Sequence, residues 1–338
     1  MKLELAQSAG FCYGVRRAVE LAEDCAARAE RPCVMLGSII HNQDVIHRLE
    51  EQGLRVVERP EDVPEGSCVI IRSHGESRGV YQALERRNVR ILDATCPNVK
   101  RIHEIVAQAE AQGRQPVIVG TPDHPEVTAI AGWCTHAVVV SGEEDLEAWL
   151  SEDPKRRDLP LTFVSQTTST RKIWEGCLKK AKKECTNSEF FDTICGATSK
   201  RQNEARQLAQ RCGMMVVIGD RKSSNTKRLA ELCREACPHV QLIERAADLD
   251  LSQMPQAEMV GITAGASTPA WIIKEVYDKM SDEIMEIEKS FAELLEESIK
   301  TLNTGDKVTG TVVDITLNKK LFERIKFVHD HPNRELTP

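Results

Sequence analysis

"VRILDATCPNVKRIHEIVAQAEAQG", residues 89–113, decides the fold. A short apolar run ends in small and polar residues at Cys96, and Pro97 then sits in the first turn of a helical pattern. The stretch predicts a strand, a cysteine and a helix. The same unit recurs around Cys195 in "SEFFDTICGATSKRQNEARQLAQRCG" (188–213) and around Cys12 in "AGFCYGVRRAVELAE" (9–23). A helix N-terminus offers unpaired N–H groups and the positive end of the dipole, so a sulfur held there is biased toward thiolate, the form that binds metal.

Downstream of each cysteine come two further apolar runs that end in polar turns. After Cys12 these are "VMLGSIIHN" with His41 and "CVIIRSHGES" with His74; after Cys96, "PVIVGTPDHPEV" with His124 and "LTFVSQTTST" with Thr167. After Cys195 they are "MMVVIGDRKSSNTKRLAEL" with Ser223 and "MVGITAGASTPAWIIKEV" with Ser267. His41, His124 and Ser223 follow their cysteines by 29, 28 and 28 residues. Strands alternating with helices at a fixed repeat predict an α/β protein of three similar lobes with parallel-rich sheets, related by a pseudo-threefold. The expected boundaries are 14–95, 96–194 and 195–280, with residues 1–13 lending Cys12 and a strand to the third lobe. Functional turns in such sheets lie beyond the carboxyl ends of the strands, so nine polar turns converge if those ends face inward.

The 338-residue chain is long enough for two or three domains with real cores, and its net charge of −7 argues against general attraction to nucleic acid or an anionic membrane. It shows no cationic-then-apolar leader and no apolar run near the ~20 residues a bilayer span needs, which predicts a cytoplasmic protein. Twelve scattered cysteines without C-x-x-C point to metal or redox use rather than a disulfide framework. Cys233 and Cys237 read as packing residues on one helix face. Cys25, Cys33, Cys68, Cys134, Cys177, Cys185 and Cys212 read as structural.

Three convergent thiolates are one short of a closed structural metal site. Zinc with an open fourth position and an iron-sulfur cluster with one free iron both answer to that count, as do three buried thiols at equivalent repeat positions. The other turns describe the ligand: His41, His74, His124, Ser223, Ser224, Asn225 and Ser267 form a dense donor set for an anion rich in oxygen, such as a diphosphate. Glu126, two residues from His124, is the natural proton source. Asp93, Asp192 and Asp220 are explained by turn hydrogen bonds.

In order and spacing, "AGFCYGV", "GSIIHN", "SHG", "DATCP", "HPEV", "SQTT", "DTICGAT", "SSNTKRLAEL" and "TAGASTP" resemble the motifs of the 4-hydroxy-3-methylbut-2-enyl diphosphate reductase (LytB) family, over residues 1 to about 280. The resemblance implies a four-iron four-sulfur cluster held by Cys12, Cys96 and Cys195 with its apical iron open. It implies that His41, His74, His124, Ser223, Ser224, Asn225 and Ser267 bind the diphosphate of an allylic alcohol. Thr167 orients the substrate hydroxyl and Glu126 delivers protons. The implied reaction is the reductive dehydroxylation that ends the methylerythritol phosphate route, yielding isopentenyl and dimethylallyl diphosphate. No nucleotide-binding glycine motif is present, so a ferredoxin or flavodoxin is the expected electron donor. The sequence departs from the pattern at Ala129, where a glycine is usual, and at Arg221 and Lys222, expected on the solvated side of their turn.

From residue 281 the chain changes character. "SDEIMEIEKSFAELLEESIKTL" reads as an acidic helix, and "NTGDKVTGTVVDIT" resembles the first strand of a ribosomal RNA-binding OB-type repeat that the following residues do not continue. Residues 281–338 are therefore expected to be an extension with an incomplete OB-like segment. The rival to the enzyme is an RNA-binding, translation-associated protein acting through that segment, against which the acidic charge and unfinished barrel count.

Overall fold

Strands β2 (Cys33–Leu36) and β4 (Cys68–Ile71) show why the repeat builds sheets covered on both faces. Cys33, Met35, Cys68 and Ile70 pack to one side with helices α1 (Tyr13–Arg28) and α2 (Gln43–Glu51), while Val34, Leu36, Val69 and Ile71 pack to the other with Leu84 of α3 (Arg78–Glu85). Strands buried on both faces lose polar alternation and read as continuous apolar runs, as parallel sheets require. The computed structural model describes residues 1–28, 32–252 and 258–300, with side chains to residue 286.

Three four-stranded sheets result, parallel throughout. In the first, β3 (Arg55–Val57), β2, β4 and β5 (Arg90–Asp93) lie in that order. The second runs β7 (Val138–Val140), β6 (Gln115–Val119), β8 (Pro160–Ser165), β9 (Asn187–Phe191). The third runs β11 (His239–Ile243), β10 (Met214–Ile218), β12 (Met259–Ala264), β1 (Lys2–Leu5). Each sheet holds one strand more than the apolar runs suggested. The additional ones, β3, β7 and β11, all lie at an edge, and two of them are only three residues long.

The last strand of each sheet feeds a cysteine whose helix opens the next lobe. β5 leads to Cys96 and α4 (Pro97–Ala111), and β9 leads to Cys195 and α8 (Gly196–Ala209). β1 leads to Cys12 and α1, although β1 itself pairs with β12 at the far end of the sequence. The three lobes therefore form a closed cycle, with the N-terminal strand completing the third sheet. Helices α5 (Pro125–Ala131), α6 (Glu143–Glu152) and α7 (Arg171–Glu184) accompany the second sheet, and α9 (Ser224–Arg234) the third. Met1–Ser281 form one compact unit and Asp282–Pro338 a second. Helix α10 (Ala270–Lys300) includes most of the stretch read as an acidic helix, whereas the OB-like stretch 303–316 lies outside the described residues.

The cysteines outside the repeat divide. Cys212, Cys233 and Cys237 pack together in the core of the third lobe, as read, and burial pushes the Cys233 thiol up to about 12. Cys25 and Cys33 depart from the structural reading: α1 lays Cys25 against the start of β2, and the two are joined as a disulfide. No helix among the described residues is long and apolar enough to cross a membrane.

Candidate active site

All twelve residues singled out in the sequence line one cavity. The carboxyl ends of the strands bring them there, and helix starts hold them in place. Cys96 and Cys195 are the N-cap residues of α4 and α8, and Cys12 directly precedes α1. The Asn98 amide donates to Cys195 Sγ at 3.2 Å. Gly14 explains itself here: a Cβ at that position would lie 2.6 Å from Cys96 Sγ, so only glycine lets α1 approach the second cysteine.

The three histidines stand around a common point. Ring centroids are 4.5 Å apart for His41 and His74, 6.0 Å for His41 and His124, and 5.8 Å for His74 and His124. Burial lowers all three, with Arg72 adding to it; Asp220 opposes the fall at His41, while neighbouring histidines deepen it at His74, which lies well below the usual range, and at His124, which falls to about 4. His124 caps α5, its Nδ1 accepting from the Glu126 N–H at 3.1 Å. That bond fixes the neutral ring as the Nε2–H tautomer, which leaves Nε2 as the donor.

Hydroxyls and an amide complete the polar lining. Ser223 caps α9, accepting from Thr226 N–H at 3.4 Å, which leaves its own O–H to give. Thr168 Oγ1 and Ser224 Oγ are 3.1 Å apart. Ser267 Oγ donates to the His41 carbonyl at 2.8 Å and must turn to serve a ligand. Both side-chain polar atoms of Asn225, with His41 Nε2 and His74 Nδ1, are buried and lack a hydrogen-bond partner within the protein. Buried polar atoms left unpaired cost about 1–3 kcal/mol each, so this concentration in one cavity marks where a polar ligand sits.

Glu126 is 2% exposed. Its carboxyl accepts from Thr167 N–H at 2.6 Å and from Thr167 Oγ1–H at 2.8 Å. Burial raises its pKa, and these two bonds oppose the rise. Asp93, Asp192 and Asp220 each accept from a backbone N–H two residues on, as turn residues do. Arg221 and Lys222 are exposed on their turn.

One wall residue was not read from the sequence. Arg201, six residues after Cys195 on α8, is 3% exposed and lines the cavity. Nε and Nη2 donate to the Ser8 and Gly10 carbonyls at 2.9 and 2.7 Å, fixing the loop before Cys12, while buried Nη1 has no partner. In the sequence it is one of several basic residues on a polar helix, and only its face distinguishes it.

Fold and site together define a class: a three-lobed parallel α/β protein with a cavity lined by three thiols, three histidines and a set of hydroxyls. The LytB protein family model matches residues 3–281, and the chain belongs to that family. A 4-hydroxy-3-methylbut-2-enyl diphosphate reductase of Caldanaerobacter subterraneus subsp. tengcongensis is 40% identical over 288 residues, 83% of this chain and 96% of that one. A solved (E)-4-hydroxy-3-methyl-but-2-enyl diphosphate reductase, the terminal enzyme of the non-mevalonate pathway, is 36% identical with a TM-score of 0.62, covering 83% of this chain and 100% of its own. The E-1-hydroxy-2-methyl-but-2-enyl-4-diphosphate reductase from Plasmodium falciparum is 25% identical with a TM-score of 0.75, covering 97% and 99%.

Proposed function

We propose that the protein reduces 4-hydroxy-3-methylbut-2-enyl diphosphate to isopentenyl and dimethylallyl diphosphate, the closing step of the methylerythritol phosphate route. Two electrons and two protons remove the hydroxyl as water. The observation that carries the reading is the cavity itself, in which unpartnered polar atoms from the first and third lobes share one lining with the buried Glu126–Thr167 pair of the second.

His41, His74, His124, Ser223, Ser224, Asn225 and Ser267 are assigned to the diphosphate. The neutral histidines donate from ring N–H groups, and protonation of any of them adds charge complementarity. Thr167, held by Glu126, presents its hydroxyl to the substrate oxygen. Glu126 supplies a proton, its burial keeping the acid form available nearer neutrality than an exposed carboxyl allows.

Cys12, Cys96 and Cys195 are assigned as ligands of one iron-sulfur cluster, four-iron four-sulfur with an open apical iron. The donor set fits: three thiols at helix starts line one cavity, beside an amide aimed at one sulfur and a buried guanidinium. One tetrahedral zinc ion needs sulfurs about 3.8 Å apart. Among the described residues, the trio with ligand atoms all within 4.8 Å is Cys25, Cys33 and Cys68, so the cavity thiols are spaced for a larger group. Such a cluster supplies electrons one at a time and a Lewis acid for the leaving oxygen. A ferredoxin or flavodoxin as donor, a cytoplasmic location and the lobe boundaries 14–95, 96–194 and 195–280 belong to the same proposal. The RNA-binding rival rests on residues outside the described ones, and no observation favours it.

Anaerobic purification with iron and sulfide analysis, followed by turnover of the allylic diphosphate with a reduced dye, tests the reading. Cluster iron and both products are expected in the intact chain. Cys12→Ser, Cys96→Ser and Cys195→Ser are each expected to lose the iron and its visible absorption, while Cys25→Ser keeps it; iron at the wild-type level in all four overturns the ligand assignment.

A further inference from the structure

The first lobe carries a second thiol cluster that the cavity does not use. Cys25 lies on α1, while Cys33 and Cys68 are the first residues of β2 and β4 and register partners across the sheet. All three face the same layer. His41 and His74 lie beyond the carboxyl ends of those same strands, so this cluster sits at the opposite end of the sheet from the anion cradle. Its three sulfurs lie within 4.8 Å of one another. The Cα atoms of Cys25 and Cys33 are 6.9 Å apart, just beyond the roughly 4.4–6.8 Å that disulfides usually span.

Three sulfurs at this spacing can close around a single ion. A tetrahedral zinc with bonds of about 2.3 Å sets its sulfurs roughly 3.8 Å apart, inside the distance that already bounds the trio. Thiolate sulfur selects soft d10 cations such as Zn²⁺ or Cu⁺. Three thiolates on Zn²⁺ carry one net negative charge, and the Arg28 and Arg90 side chains line the pocket beside Cys25 and Cys68 to balance it. One water completes four ligands, and Asp24, which lines the same pocket, can hydrogen-bond that water. Leu21 and Leu92 give the site an apolar wall.

We propose that in the reduced protein Cys25, Cys33 and Cys68 bind a thiophilic d10 cation such as Zn²⁺ as three thiolates, at a site separate from the active-site cavity, and that the Cys25–Cys33 disulfide is its metal-free oxidised form. Interconversion balances by thiol chemistry. A dithiol reductant gives two electrons and two protons to the S–S bond and becomes a disulfide itself, and the cation then displaces the thiol protons. The inference stands independently of the proposed reductase activity.

The test uses full-length protein purified anaerobically with its iron, reduced, equilibrated with Zn²⁺ alone and dialysed. Zinc and iron are then counted per chain in wild type, Cys68→Ser, Cys25→Ser and the control Cys134→Ser. One zinc per chain is expected in wild type and Cys134→Ser. Affinity should fall more than about 100-fold in the two trio variants, since even loss of an outer-shell partner costs 10–100-fold. Iron should stay at the wild-type level throughout, which separates this site from the cavity thiols and makes failure here distinguishable from failure of the cluster assignment. Zinc X-ray absorption should show three sulfurs at about 2.3 Å. Failure of reduced wild type to retain zinc overturns the proposal, as does zinc held at the wild-type level by both trio variants, or zinc gained only where iron is lost.

Discussion

Glu126 shows how one carboxyl is held for acid chemistry. Its two oxygens are both occupied by Thr167, so replacing it with glutamine preserves shape and one acceptor but removes the transferable proton. Glu126→Gln is expected to keep its iron and bind substrate, with kcat reduced by about 10²–10⁴-fold. Thr167→Val should fall less. Pre-steady-state turnover beside iron analysis checks both, and near-normal kcat in Glu126→Gln would move the proton source elsewhere. The histidines make a second prediction. Burial holds them neutral without ligand, and an oxyanion placed among them favours the charged form, raising their pKa values on binding. Diphosphate binding near pH 7 should therefore take up protons and weaken as pH rises. Calorimetry in buffers of different ionisation enthalpy measures the uptake, and zero uptake would mean that only neutral donors hold the ligand. At this scale the gathering of these side chains into one cavity was legible, because they lie at turns and turns punctuate the pattern. Arg201 and the Cys25–Cys33–Cys68 group were illegible because a helix face and a cross-strand register leave no local spacing to read.

Helix α4 binds two levels of the structure together. Cys96 caps its start, and two turns on His103 stacks on Trp133 with ring centroids 5.0 Å apart. Gly75, at φ +76°, passes so close that a Cβ there would meet His103 Cε1 at 2.6 Å. Burial of His103 lowers its pKa to about 4. Below pH 6.5 the unfolded chain takes up this proton before the folded one does, so stability is lost as pH falls from about 6.5 toward 4. His103 contributes roughly 3 kcal/mol to that loss. Urea unfolding at pH 7 and pH 5 should show the drop, with His103→Phe flattening it; an unchanged slope would place the acid sensitivity in other groups. The edge strands explain what the pattern of runs missed. Central strands are apolar on both faces and stand out, but Arg55–Val57 and Val138–Val140 give too few residues to establish a period.

In the whole molecule, the compact unit ends at Ser281, and Met280 is fully buried at its edge. A chain ending at Ser281 should keep its iron, its turnover and a Tm within about 2 °C of full length, whereas ending at Lys279 deletes a core side chain. Loss of activity in the Ser281 form, measured beside the full chain, would make the extension part of the enzyme. The cyclic arrangement of lobes carries a temporal consequence. Leu3 pairs with Val260, and the Cys12 N–H donates to the Ala266 carbonyl at 3.2 Å. Strand β1 therefore waits for a partner made some 257 residues later. At about 5–20 residues per second that delay is roughly 10–50 s. Throughout it the nascent chain exposes an unpaired β1 and an unseated Cys12. Two thiols of the cavity can be positioned by earlier-made sheets, but the third is set only once β12 and the turn after it have been made, so the order in which the cavity assembles is imposed by topology alone.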